Sequence, residues 1–275
     1  MRWIYLSPHL DDAVFSAGGL IYDQTQAGTP VEIWTFMCGD PRLTEYSQFT
    51  QALHQVWGFS SAEETVRKRR AEDSLAASIV GAKAVHLDFL DCIYRRDTNG
   101  DWLYPSEIFG AIHPADADYP AHIWNGSTRK VIGGSSFFES KFTGSWGYFD
   151  LDPVTPVPAR LNPDDVLVCQ LGLGSHVDHV LVRRGAELLG RPLRYDVDVP
   201  YVLAKPEEFA PKAVGMVEKT VRITEASLPR WVEASVAYQS QLPALGDQFD
   251  TPEQVSASLR KYWSERQGIR LLQLD

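Results

Sequence analysis

The sequence predicts an α/β protein, a Rossmann-like, mostly parallel sheet with helices on both faces, and three observations predict it. Short apolar runs rich in β-branched and aromatic residues recur along the chain, segments with helical spacing separate them, and polar or Gly-containing turns mark the joins. Strand and helix alternating in this way build βαβ units, whose crossovers cover a parallel sheet on either side.

The elements follow in order. "RWIYL" (2–6) and "VEIWTFMC" (31–38) read as buried parallel strands, with residues 12–27 forming the helix between them. "SSAEETVRKRRAEDSLAASIVGA" (60–82) is a stronger helix. Ser61 and Glu64 have capping-box spacing, Val66, Arg70, Asp73, Ala77 and Val80 recur at helical spacing, and Gly81 stands where a helix stops. "VHLDFL" (85–90) and "DVLVCQLGL" (165–173) are expected as strands, "HVDHVLVRRGAELLG" (176–190) as a helix, and "YDVDVPYVL" (195–203) as a further strand. Residues from about 92 to 163 break the rhythm with Pro, Gly and scattered aromatics such as "SSFFESKFTGSWGYFD". This irregular, aromatic-rich insertion is too apolar for a solvated loop and is expected to fold as a cap at the mouth of a pocket. From about 205 the tail reads as helical, with "LPRWVEASVAYQSQL" and "TPEQVSASLRKYWSERQG" as amphipathic segments, and the whole of 1–275 is expected as a single domain.

Composition narrows the function. A formal net charge of −10 argues against a nucleic-acid partner, because such surfaces need clustered Lys and Arg. Three scattered cysteines, Cys38, Cys92 and Cys169, form no CxxC pair, which points to a reducing, cytoplasmic setting. The chain enters a strand almost at once and carries no long apolar stretch, so neither a leader nor a membrane span is expected.

Ligands of open parallel sheets bind beyond the carboxyl ends of the strands. Two strand-to-helix junctions stand out there, "SPHLDDA" (7–13) and "GLGSHVDHV" (172–180), each packing His and Asp into four residues. Either alone is compatible with helix capping or a polar helix start. Together they point to a site in which His and carboxylate ligands hold zinc, or another divalent first-row metal, and leave a position open for water.

These residues resemble the motifs of the PIG-L/LmbE family of metal-dependent N-deacetylases. His9-Leu10-Asp11-Asp12-Ala13 is similar to that family's His-Pro-Asp-Asp-Glu after the opening strand, and His176-Val177-Asp178-His179 to its His-x-Asp-His before a late helix. A third match runs Arg69-x-x-Glu72-x-x-x-Ala76-x-x-x-Val80-Gly81, Asp91 falls where the family often has an aspartate, and "AYQSQL" (237–242) resembles its C-terminal region. The resemblance covers about 1–95 and 160–245. It implies that His9, Asp12 and His179 hold the metal, usually zinc, that Asp11 is the general base, that His176 serves the oxyanion or acts as acid, and that Asp178 orients a histidine. It further implies that Arg69 and Asp91 meet the substrate, an N-acylated, most often N-acetylated, amino sugar or glycoconjugate. Two departures stand in the first motif: Leu10 replaces Pro, and Ala13 replaces a Glu that would bring a further carboxylate to the helix start.

Other readings compete. An amidase acting on a thiol-sugar conjugate would use the same hydrolytic centre. A nucleotide-binding protein would need a GxGxxG after the first strand, where only Gly18-Gly19 occurs, with Asp40 near the end of the second. A carbohydrate-binding protein without hydrolytic activity would need no Asp11. The sequence also leaves room for a homo-oligomer. His113 and His122, in the insertion, are expected to be surface groups, and Cys38 a small buried hydrophobe.

Overall fold

The computed structural model describes residues 1–117, 160–246 and 249–275. A seven-stranded sheet has the order β3-β2-β1-β4-β5-β7-β6, with β1 at Trp3–Ser7, β2 at Val31–Thr35, β3 at Lys83–His86, β4 at Val166–Gln170, β5 at Leu193–Asp196, β6 at Met216–Arg222 and β7 at Gly268–Leu274. The first five strands run parallel, while β7 pairs antiparallel with β5 and β6. The main helices are α1 (Asp12–Gln26), α2 (Gln48–Val56), α3 (Ala62–Ile79), α4 (Val177–Leu188), α5 (Ser227–Val236) and α6 (Pro252–Arg266).

The order of the parallel strands positions the site. The chain moves from β1 outward through β2 to β3, then returns to the other side of β1 as β4 and moves outward to β5. Because such crossovers are right-handed, reversing the direction of travel puts α4 on the face opposite α1 and α3. The crevice of such a sheet opens where the direction reverses, here between the carboxyl ends of β1 and β4. "SPHLDDA" leaves one of those ends and "GLGSHVDHV" the other.

Local chemistry explains the elements. Apolar β1 and β4 are almost wholly buried, as central strands covered on both faces must be. Ser61 caps α3 by accepting from Glu64 N at 3.1 Å, and Gly81 takes the left-handed turn after it, with φ of 75°. Gly18 and Gly19 belong to packing rather than to a phosphate loop. A Cβ on Gly18 would stand 2.5 Å from the Trp231 ring of α5, and one on Gly19 2.6 Å from Ile223. The Trp231 indole N–H then donates to Val14 O at 2.8 Å, which fixes α5 across α1.

The structure corrects several expectations. The strand expected at 195–203 ends at Asp196, and Tyr201–Ala204 is a helical turn instead, since Pro200 has no N–H for a ladder. The helical tail also holds two strands, β6 and β7, which close the sheet antiparallel. β3 is Lys83–His86, earlier and shorter than 85–90, and α2 was not foreseen. On α3 it is Arg69 rather than Arg70 that turns inward, while Arg70 leans outward to pair with Asp88 at 2.6 Å. Of the expected insertion, residues 92–117 and 160–163 are described, the first stretch mainly as short helical turns and bends, and 118–159, with His122, lie outside the described residues. Among the described residues no helix is long and apolar enough to cross a membrane.

Candidate active site

His9, Asp11, Asp12, Arg69, Asp91, His176, Asp178 and His179 all converge, each nine-tenths or more buried, at the crevice between β1 and β4. The turn after β1 is tight. Ser7 Oγ donates to His9 O at 2.7 Å and accepts from Ala13 N at 3.2 Å, so the helix start bonds the end of its own strand without the Glu that Ala13 replaces. Asp11 occupies the N-cap position of α1, yet its side chain makes no cap bond. Its carboxylate faces Arg69 at 3.8 Å across the cleft. Asp12 turns the other way, accepting from His9 N at 2.7 Å and standing 3.4 Å from both His9 Nδ1 and His179 Nε2.

The two histidines are oriented from behind by carboxylates. A carboxylate only accepts, so His9 donates through Nε2 to Asp178 Oδ2 at 3.1 Å, and His179 through Nδ1 to Asp198 Oδ1 at 3.3 Å. In the neutral rings that leaves His9 Nδ1 and His179 Nε2 as acceptors, each 3.4 Å from Asp12 Oδ2, an arrangement a cation resolves. Ligands about 2.1 Å from a tetrahedral zinc stand roughly 3.4 Å from one another, the spacing Asp12 keeps to each ring. His176 also belongs to the cluster, since ring nitrogens of His9, His176 and His179 lie within 4.8 Å of one another. This chemistry and spacing fit a divalent metal.

His176 is fixed differently. It caps α4, its Nδ1 accepting from Asp178 N at 3.2 Å, so in the neutral ring Nε2 carries the hydrogen. Backbone bonds from Val177 N to Ile108 O at 2.9 Å and from Gly110 N to Ser175 O at 3.0 Å tie its loop to the described start of the insertion. Burial first, then the neighbouring His9 and His179, hold His176 well below its ordinary pKa.

The carboxylates divide sharply. Burial and the adjacent Asp12 charge push Asp11 up to about 7, with Arg69 pulling back. Burial acts on Asp12 too, but His179 and His9 outweigh it and hold the acid at about 2. Burial would likewise raise Asp178, but Arg95 and His9 prevail and keep it below the usual carboxylate range.

The cleft has a volume of about 400 Å³, and its lining above the polar floor is mostly apolar, with Phe49 and Leu53 from α2, Trp57 capping that helix, Ile108 and Phe109 from the segment after β3, and Leu245 from the tail. Arg69 lies over the Trp57 ring, 5.0 Å from its centroid, and its second neighbour is Asp91 at 4.0 Å. Glu72, one turn along α3 from Arg69, accepts from Ser240 N at 2.9 Å and its hydroxyl at 2.6 Å, which anchors the "AYQSQL" segment to α3. His113 caps a short turn, and Cys38 is buried, its thiol donating to Leu87 O.

Sequence reasoning missed Asp198, Arg95 and Tyr201. Asp198 follows the carboxyl end of β5, so the strand-end rule that found the other clusters would have reached it. Arg95 is wholly buried and meets Asp178 at 2.5 Å, and nothing in the local sequence marks it as internal. The Tyr201 ring meets His179 edge-on, with centroids 5.4 Å apart.

Comparison with known proteins adds a family and a fold. The family model described as PIG-L, GlcNAc-PI de-N-acetylase, matches residues 4–188. No curated protein sequence matches the chain significantly. Among solved structures, the zinc-inhibited form of teicoplanin deacetylase Orf2 superposes with a TM-score of 0.74 at 22% identity, covering 99% of this chain and 97% of that one. The A40926 pseudoaglycone deacetylase Dbv21 gives 0.66 at 24%, with 99% and 96% covered. GalB, the 4-carboxy-2-hydroxymuconate hydratase from Pseudomonas putida KT2440, gives 0.50 at 14%, with 99% and 95% covered. At these identities the likeness shows the fold, and that fold serves a hydratase as well as deacetylases.

Proposed function

The chain belongs to the PIG-L family, and from that premise we propose that it is a metal-dependent N-deacetylase that removes an acetyl group from the amine of an amino sugar or glycoconjugate. The observation that carries this reading is that His9 Nδ1 and His179 Nε2, on rings backed by carboxylates, each stand 3.4 Å from Asp12 Oδ2. In this reading His9, Asp12 and His179 hold the metal. Zinc suits two imidazoles and one carboxylate, and other divalent first-row metals accept the same donors. When bound, the metal supplies Lewis-acid polarisation of the amide carbonyl and of the attacking water.

The chain's own residues do the rest. Asp11, ionised and on the cleft side of the ligands, accepts the proton of the attacking water as its oxygen adds to the carbonyl carbon. His176, neutral with Nε2–H directed into the cleft, donates to the oxygen that gains charge. As the C–N bond breaks, the proton held by Asp11 passes to the leaving nitrogen, giving a free amine and acetate. Asp178 holds His9 in its tautomer. Arg69 and Asp91 face the sugar hydroxyls, and Trp57 and Phe109 offer flat faces for a ring. Two of the neighbours are a teicoplanin deacetylase and an A40926 pseudoaglycone deacetylase, and the mostly apolar upper cleft supports a substrate whose sugar is attached to an apolar body. Three free, buried cysteines support a cytoplasmic setting.

The test is acetate release from a panel of N-acetylated sugars and glycoconjugates, alongside elemental analysis of protein prepared without chelator. We expect about one equivalent of metal and activity that chelation abolishes. Protein that neither carries nor takes up zinc would sink the reading.

A further inference from the structure

Behind the metal ligands lies a buried ion-pair chain that the proposed reaction does not use. Arg95, with no solvent exposure, sends a single nitrogen, Nη2, to two carboxylates, Asp178 Oδ1 at 2.5 Å and Asp116 Oδ2 at 3.2 Å. Asp178 then accepts from His9 Nε2 at 3.1 Å and from Cys92 N at 2.9 Å through its other oxygen. Asp116, also fully buried, accepts from the Tyr104 hydroxyl at 2.7 Å, and that hydroxyl in turn accepts from His113 N at 3.2 Å. The Tyr104 ring lies 5.5 Å from the Arg95 guanidinium. Tyr104, His113 and Asp116 all belong to the segment after β3, more than 60 residues before Asp178 in sequence.

We propose that Asp116 is a positioning residue for the metal site, setting through Arg95 how strongly Asp178 holds His9. The inference rests on the metal reading above. Two carboxylates share one guanidinium charge, so what Asp116 draws of that charge is not spent on Asp178. An Asp178 less engaged by Arg95 is the stronger acceptor for the His9 N–H, and a ligand histidine held by a stronger acceptor donates more density to a metal. Neutralising Asp116 leaves more of the Arg95 charge to Asp178 and weakens the metal. Removing the Tyr104 hydroxyl has the opposite sense, since an Asp116 that has lost its donor draws Arg95 harder.

The experiment is zinc affinity by chelator competition on wild type, Asp116→Asn and Tyr104→Phe, with thermal melts of each variant. Asp116→Asn keeps the side chain's size and its acceptor for Tyr104, and Tyr104→Phe keeps the ring over Arg95. We expect the zinc dissociation constant to rise about threefold to tenfold in Asp116→Asn, below the 10–100-fold typical of direct outer partners, and to stay level or fall in Tyr104→Phe. A merely structural role would loosen both. Equal weakening in the two variants, or no change in Asp116→Asn, overturns the proposal, and should Asp116→Asn fail to fold, weakened zinc binding in Tyr104→Phe alone overturns it. Wild type that binds no zinc would instead refute the metal reading itself.

Discussion

Asp11 and Asp12 are neighbours in sequence with opposite environments, and the difference assigns their work. One sits among histidines and stays ionised at low pH, and the other faces an arginine across a cleft, with its acid form held up to about 7 by burial and by its neighbour's charge. Asp11→Asn should therefore cut turnover by about 10²–10⁴ with metal content nearly full, whereas Asp12→Asn should lower metal affinity. Metal analysis beside kinetics separates the two, and loss of metal from the Asp11 variant would reverse the assignment. A base works only when ionised, so turnover should climb with pH as Asp11 loses its proton. A bound dication favours the ionised form and moves this limb below 7. The limb should be present in wild type and missing from the residual activity of Asp11→Asn. Both motifs were legible because their groups lie within four residues at strand ends. Arg95 was not, because it acts alone in its segment and acquires meaning only from a partner far along the chain, whereas Asp198, just past the end of β5, lay within reach of the same strand-end rule.

The loop between β4 and α4 shows how an element is shaped around one side chain. Gly172 and Gly174 take φ of 80° and 74°, Ser175 follows at 58°, and the chain then turns outward so that His176 caps α4. Lys212 donates to Gly172 O and, at 3.2 Å, to Ser175 Oγ, and Glu208 accepts from Gly174 N at 2.8 Å. Gly174→Ala should be costly twice over, in a backbone conformation that L residues avoid and in a Cβ that would run into the Tyr201 ring. We expect a loss of about 1–3 kcal/mol in denaturant unfolding and a larger fractional loss of turnover, as His176 is displaced. A variant with full activity would show that the loop does not position His176. The same scale explains the misread tail. β6 is exposed along almost its whole length and so carries no alternation of buried and exposed residues from which a strand is inferred, and β7 is recognisable only once its partner is in place.

Among the described residues, five buried carboxylates gather at one edge of the sheet. Asp11, Asp12, Asp91, Asp178 and Asp198 are all buried around the crevice, with Arg69 and Arg95 as the cations opposite them. Buried like charges left without a counterion oppose folding, so a dication at this edge stabilises the native state and has little hold on the unfolded one. The topology makes this coupling global. The proposed ligands come from the ends of β1 and β4, adjacent central strands on which the rest of the sheet is ordered, so loosening that edge reaches the core directly. Metal at a hundredfold excess over its dissociation constant contributes about 2.7 kcal/mol, and in a chain of this size each kcal/mol moves the melting midpoint by roughly 2–4 °C. Chelated protein should therefore melt roughly 5–10 °C below the zinc-loaded form, with the difference removed by re-addition of zinc and absent in a variant carrying His9→Ala and His179→Ala together. Coincident melts for the chelated and loaded wild type would show that the acidic edge is balanced by the chain alone.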